Sequence, residues 1–113
     1  MLSKKNRLKK KKDFERVFRN GKGFKKDFLY LKTINNKNGL IRFGFIASKS
    51  FSKKAVIRNK IKRRLSEIVR LELPKIKKGT DAVIMVMPQF TQKNFQKIKG
   101  LLDNLFKKSG ILK

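Results

Sequence analysis

The sequence contains no cysteine and no histidine. Their absence removes disulfides, a thiolate nucleophile, a histidine general base and the ligand sets of structural zinc. Acidic residues are scarce as well. Asp plus Glu number 7 against 33 Lys plus Arg, for a formal net charge of +26. No apolar run approaches the roughly 20 residues of a membrane-spanning helix. The basic start is not followed by the apolar stretch of a secretory signal. The expected location is the cytoplasm, although the lack of cysteine leaves the redox compartment open.

What is present points to one domain. A chain of 113 residues with ten Phe and 39% hydrophobic residues can bury a core without staples. Its charge opposes folding through self-repulsion unless a polyanion neutralises it. Nucleic acid, an anionic membrane and an acidic protein all meet that need. Nucleic acid fits best, because basic residues recur along the whole chain together with aromatics. Low-GC coding bias accounts for Lys outnumbering Arg, but not for the shortage of acids.

Residues 1–12 read as a basic arm with Leu8 as its anchor, or equally as a frayed, solvated terminus. A helix is predicted over 11–20, where Phe14, Val17 and Phe18 share one face and Gly21 follows as a stop. Strands are predicted at 24–26 and 28–34. Residues 35–39 form a turn whose Asn38-Gly39 pair signals a hairpin. The returning strand, 40–48, alternates Ile41, Phe43, Phe45 and Ala47 with Arg42, Gly44, Ile46 and Ser48. Ser50 and Ser52 are candidate caps for a long helix over 55–73, with an apolar stripe of Ile57, Ile61, Leu65, Ile68 and Leu71 and a stop at Pro74. The wholly apolar run 82–87 suits a strand covered on both sides. Thr91 is the candidate cap of a last helix carrying Phe95, Ile98, Leu102 and Leu105 and ending at Ser109-Gly110. The order is α-β-β-β-α-β-α, an α+β two-layer sandwich. The expected organisation is an arm (1–12), one RNA-binding domain (13–109) and a short tail (110–113).

The most informative segment is 49–64. Lys49, Lys53, Lys54, Arg58, Lys60, Lys62, Arg63 and Arg64 occur there with no acid among them. On a helix Arg58 lies above Lys62 and Asn59 above Arg63. Like charges at that spacing repel by a few tenths of a kcal/mol per pair. A helix that accumulates such repulsion at its positive dipole end suits a phosphate backbone. A solvated lysine-rich face is the plainer alternative, but it leaves the acid-free run over the helix start unexplained. Phe14, Phe18 and Tyr30, and less so Phe28, are candidates for stacking on unpaired bases, although core packing is the usual fate of Phe. The acids Asp13, Glu15, Asp27, Glu67, Glu72, Asp81 and Asp103 are scattered. They form no evident cluster for hydrolytic metal ions, so no catalytic and no metal-binding residue is assigned to this chain.

The run Ala55-Val56-Ile57-Arg58-Asn59-Lys60-Ile61-Lys62-Arg63 resembles the Arg-Asn-basic signature of the bacterial ribonuclease P protein family. Asp13-Phe14-Glu15-Arg16-Val17-Phe18 with Gly21 resembles that family's first helix, and Phe43 to Lys49 its strand leading into the signature. The resemblance runs from about Leu8 to Phe106. It implies a fold shared with a ribosomal protein domain and with elongation factor G domain IV. Its four-stranded sheet would have a left-handed β-α-β crossover, against the usual rule. It implies an accessory subunit of an endoribonuclease that removes the 5′ leader of precursor tRNA, with the catalytic centre and Mg²⁺ held mainly by a large RNA. Contacts to that ribonuclease P RNA are expected from Lys49, Lys53, Lys54, Arg58, Asn59, Lys60, Lys62 and Arg63. A leader cleft is expected from Phe14, Phe18, Tyr30 and Ser48, although a register slip of one residue would turn Tyr30 to the other face. Neither membrane nor DNA is an expected partner. The sequence departs from the family pattern at Lys53, where a Gly is frequent, and at Ser66, where a further Arg is found. The rival expectations are a ribosomal protein or RNA chaperone without a cleavage role, and a stand-alone nuclease dependent on a carboxylate such as Asp27.

Overall fold

The computed structural model of the protein describes residues 2–90 and 94–113. Helix α1 spans Lys11–Asn20, as its apolar spacing predicts. Strands β1 (Lys22–Lys26), β2 (Leu29–Asn35) and β3 (Ile41–Ala47) follow. Helix α2 covers Ala55–Glu72 and runs into a 3-10 turn, Leu73–Lys75, that contains Pro74. Strand β4 is Thr80–Val86 and helix α3 is Phe95–Ser109. The order α-β-β-β-α-β-α is the one expected.

The sheet order is β1-β2-β4-β3. Strand β4 is antiparallel to β2 and parallel to β3. The Asn38-Gly39 turn therefore does not close a hairpin, because β4 lies between the strands it joins. Two forces account for the difference. The run Ala82-Val83-Ile84 is fully buried and gains most from the centre, where both faces are covered. The loop is also held open from within. Asn36 Nδ2 donates to the Leu40 carbonyl at 2.9 Å, and Gly39, at φ 76°, donates its N–H to Asn36 Oδ1 at 3.1 Å. The start of β4 enters that opening, with Asn36 N–H on the Gly79 carbonyl at 2.8 Å and Thr80 N–H on the Leu40 carbonyl at 3.2 Å.

Alternation along the strands separates two cores. Leu29, Leu31, Phe43, Ala82, Ile84 and Val86 pack against α2 and α3 in the larger one. Helix α2 contributes Ile61, Leu65, Ile68 and Val69, and α3 contributes Ile98, Leu102, Leu105 and Phe106. Each such side chain contributes roughly 1.5–3 kcal/mol by leaving water. Ile57 and Leu71, expected in the α2 stripe, are 42% and 50% exposed, because the buried arc rotates toward Val69 and Glu72. The second, smaller core sits on the other sheet face, where Val17 of α1 meets Leu8 and Val83. The two-layer sandwich thus carries α1 as a partial cover on its back.

Helix ends follow local chemistry. The expected cap Thr91 lies outside the described residues. The α3 cap is Asn94, whose Oδ1 accepts the Lys97 N–H at 3.2 Å, and Gly110 at φ 73° closes the other end. Neither Ser50 nor Ser52 is the α2 N-cap. Lys54 holds that position, without a side-chain cap. The basic segment before α1 lies along the free edge of β3. Leu8 N–H donates to the Phe43 carbonyl at 3.0 Å and Asn6 Nδ2 to the Ile41 carbonyl at 2.7 Å. Leu2 is a second anchor, buried in the larger core with its N–H on Ser66 Oγ at 3.3 Å.

Candidate nucleic-acid interface

The loop after β3 and the first half of α2 gather the cations expected there. Lys49, Lys53, Lys54, Asn59, Lys60 and Arg63 are exposed, and Arg58 and Lys62 are half-buried. None of these lysines and arginines appears in an ion pair between described residues. Arg58 has an internal duty as well. Its Nη1 donates to the Ser52 carbonyl at 2.7 Å, while Ser52 Oγ accepts the Lys54 N–H at 3.2 Å. Arg58 thereby ties the loop to the helix start, so Ser52 serves the loop rather than capping the helix.

The back of the sheet holds the aromatics. Leu29 and Leu31 are fully buried on the α2 side, so Tyr30 between them faces α1. The register therefore turns Tyr30 to the α1 side of the sheet. Cross-strand pairing puts Lys25, Tyr30, Met85 and Ile46 in one row across all four strands. At the roughly 4.8 Å spacing of neighbouring strands, that row is about 14 Å long. Tyr30, Met85 and Ile46 are half-buried, and so are Phe14 and Phe18 of α1 beside them. Ser48, exposed, stands one residue past the end of β3.

Two glycines make room for the rings. A Cβ on Gly44 would lie 2.4 Å from Phe14 Cε1, and one on Gly23 would lie 2.0 Å from Tyr30 Oη. A larger side chain must displace the Phe14 ring at Gly44 and the tip of Tyr30 at Gly23. Sequence reasoning did not find Met85, Ile46 or Lys25 as parts of this row. Their signal is the register, which only the insertion of β4 defines.

A buried ionic knot fixes α1 over this surface. Asp81 is fully buried. Arg42 grips it twice, Nε to Oδ1 at 2.9 Å and Nη2 to Oδ2 at 2.7 Å. Arg16 of α1 binds the same carboxylate, Asn36 Nδ2 donates to it at 2.8 Å, and Asp13 of α1 stands 3.6 Å from Arg42. The hydrogen bonds Arg42 donates to Asp81 raise the Arg42 pKa above its already high ordinary value, against the opposing effect of burial. Lys32 Nζ donates to the Phe18 carbonyl, placing a cation at the α1 C-terminus. Folding thus unites two carboxylates, but on arginine. Among the described residues no group of three or more acids could hold a metal ion. No helix among them is long and apolar enough to cross a membrane.

Comparison with known proteins agrees with this architecture. The family model described as Ribonuclease P matches residues 2–110. The ribonuclease P protein component of Clostridium botulinum (strain 657 / Type Ba4) is 38% identical over 109 residues, covering 96% of this chain and 97% of the relative. A structure of the Staphylococcus aureus RNase P protein superposes with a TM-score of 0.83 at 27% identity, covering 95% of this chain and 97% of that one. The RNase P protein of Thermotoga maritima superposes at 0.80 with 30% identity, covering 91% and 96%. Sequence, sheet order and the match along nearly the full length agree: the chain belongs to the ribonuclease P protein family.

Proposed function

We propose that this chain is the accessory protein of a ribonuclease P, an RNA-binding subunit that assists removal of the 5′ leader from precursor tRNA. The observation that carries the reading is the acid-free cationic run 49–63, on the loop before α2 and its first half. Its lysines and arginines appear in no ion pair between described residues, while Glu72, Asp81 and Asp103 are engaged in internal ion pairs. Lys49, Lys53, Lys54, Arg58, Asn59, Lys60, Lys62 and Arg63 are the groups proposed to seat the catalytic RNA. Arg supplies bidentate contacts to phosphate, Lys point charges, and Asn59 a donor and an acceptor for a base edge or 2′-OH.

The back of the sheet is proposed to take the single-stranded leader. Phe14, Phe18 and Tyr30 offer stacking surfaces, Ser48 a hydroxyl at the end of β3, and Lys25 a cation at the far edge of the row. Bond breaking is assigned to the RNA and to the Mg²⁺ it holds. The described residues of this chain do not fit a hydrolytic metal site, since Asp81 and Asp13 already serve arginines. The protein's part is to neutralise phosphate, lower the repulsion between two RNAs and hold an unstructured part of the substrate.

Reconstitution tests this. The pure chain is added to a bacterial ribonuclease P RNA at low Mg²⁺, and precursor tRNA cleavage is followed. The expected result is cleavage that needs both components. Cleavage unaffected by the protein would return it to the class of structural RNA-binding proteins, and cutting without the RNA would make it a nuclease itself.

A further inference from the structure

Between α2 and the basic segment before α1 lies a slot of about 520 Å³. Its walls include Arg7, Phe45, Val56, Asn59, Lys62 and Arg63. Three features set it apart from a merely cationic patch. Val56 is 74% exposed, an apolar side chain left in water at the start of a helix. Phe45 is only partly buried against the main core, beside Phe43 at 6.4 Å between ring centroids, and its remaining surface meets the slot. Arg7 Nε is buried with no hydrogen-bond partner. A buried donor without an acceptor is costly and calls for an explanation.

We propose that this slot receives one unstacked nucleotide of the catalytic RNA, base inward. The inference rests on the reading that α2 faces that RNA, and it deepens it. Charge complementarity selects the ligand class, because the lining has three cations and no acid. The apolar wall selects within that class. A duplex backbone presents only phosphate and sugar to a protein, and would leave Phe45 and Val56 unused. A base turned out of its helix has a face for Phe45 and Val56 and an edge for Asn59. Its flanking phosphates reach the cationic groups of Lys62, Arg63 and Arg7 that line the slot. The volume lies within the roughly 300–1,000 Å³ of small-ligand sites. The segment carrying Arg7 is held in place by Leu8 N–H on the Phe43 carbonyl and Leu2 N–H on Ser66 Oγ, so the slot is a formed cavity rather than a loose flap.

The test compares two small probes and two variants. Adenosine monophosphate is titrated into the full chain and followed by NMR at Val56, Phe45 and Arg7 Nε–H, with ribose 5-phosphate as the baseless control. Saturable shifts at all three groups with the nucleotide, and weaker ones confined to the cations with the control, are expected. Equal responses to both probes overturn the proposal, since phosphate alone would then account for binding. In parallel, Val56→Trp fills the slot at an exposed position without changing charge, and Phe45→Leu removes the ring while keeping an apolar side chain. Each is expected to weaken binding to ribonuclease P RNA by about tenfold, with an unchanged salt slope. Wild-type affinity in a folded Val56→Trp chain overturns the slot. If the wild-type chain itself fails to bind that RNA, the proposed function fails too. If it binds and stimulates cleavage while both probes act alike, only the slot is lost.

Discussion

At the scale of single residues, backbone conformation and close approach decide most. The β1–β2 connection is a two-residue loop in which Asp27 (φ 47°) and Phe28 (φ 67°) are both left-handed. Such loops favour Asn-Gly, and a bulky residue there costs about 1 kcal/mol. Phe28 is 40% exposed, with Lys25 Nζ 5.4 Å from its ring centroid as partial compensation. Phe28→Gly is therefore expected to raise stability by roughly 0.5–1 kcal/mol, read from a denaturant midpoint; a lower midpoint would show that the ring's contacts outweigh the strain. Gly44 carries the opposite expectation. Gly44→Ala forces Phe14 off the sheet, so affinity for leader-bearing tRNA should fall more than affinity for mature tRNA. Equal losses would separate the Phe14 ring from leader binding. Neither position is marked in the sequence, because a glycine in a strand does not announce which ring lies over it.

Elements show where local pattern suffices and where it does not. Helices α1 and α3 are legible from periodicity because their apolar faces and stops are local. The central place of β4 was half legible. Its unbroken apolar run marks a strand covered twice, but the Asn-Gly turn argued for pairing β2 with β3, and a sequence offers no means of weighing a turn against a long-range insertion. The knot around Asp81 is invisible in sequence, since its partners come from α1, β3 and the loop after β2. Asp81→Asn leaves Arg16 and Arg42 facing a neutral amide and should cost about 3 kcal/mol. It should also loosen α1, seen as faster hydrogen exchange along 11–20; unchanged exchange would mean that Val17 alone holds the helix. A second tie joins α2 to α3. Lys99 Nζ reaches Asp103 at 3.1 Å and the buried Glu72 at 3.2 Å. The hydrogen bond Lys99 donates to Asp103, then that to Glu72, holds its pKa above the ordinary 10.5. A raised folded-state pKa gives stability that is full below the unfolded value and is lost as pH rises through the folded one. The stability advantage of wild type over Lys99→Met should accordingly be constant near neutrality and shrink above pH 10.5. An advantage that persists at higher pH would assign it to packing of the lysine stem.

On the scale of the whole molecule, charge is divided by role. Asp13, Glu67, Glu72, Asp81 and Asp103 all engage basic partners within the fold. The field outside is left almost wholly positive. Such a surface binds polyanions by counterion release, so each lost phosphate contact flattens the dependence of log affinity on log salt by roughly 0.7–0.9. Arg58→Ala combined with Lys62→Ala should weaken assembly with ribonuclease P RNA and reduce that slope by about 1.4–1.8. A parallel line displaced to weaker binding would mean that the pair acts through structure, as the Arg58 bond to Ser52 allows.

Strand order also bears on biosynthesis. The strand that separates β2 from β3 is the last of the four to leave the ribosome. Until residues 80–86 emerge, the earlier strands lack their central neighbour, and Asp81 is missing from between Arg16 and Arg42. A nascent chain stalled before that point would be a polycation with β1 and β2 able to pair but β3 without its partner, free to stick to any nearby ribosomal RNA. Quality control of this protein would then turn on whether residues 80–86 have joined the sheet.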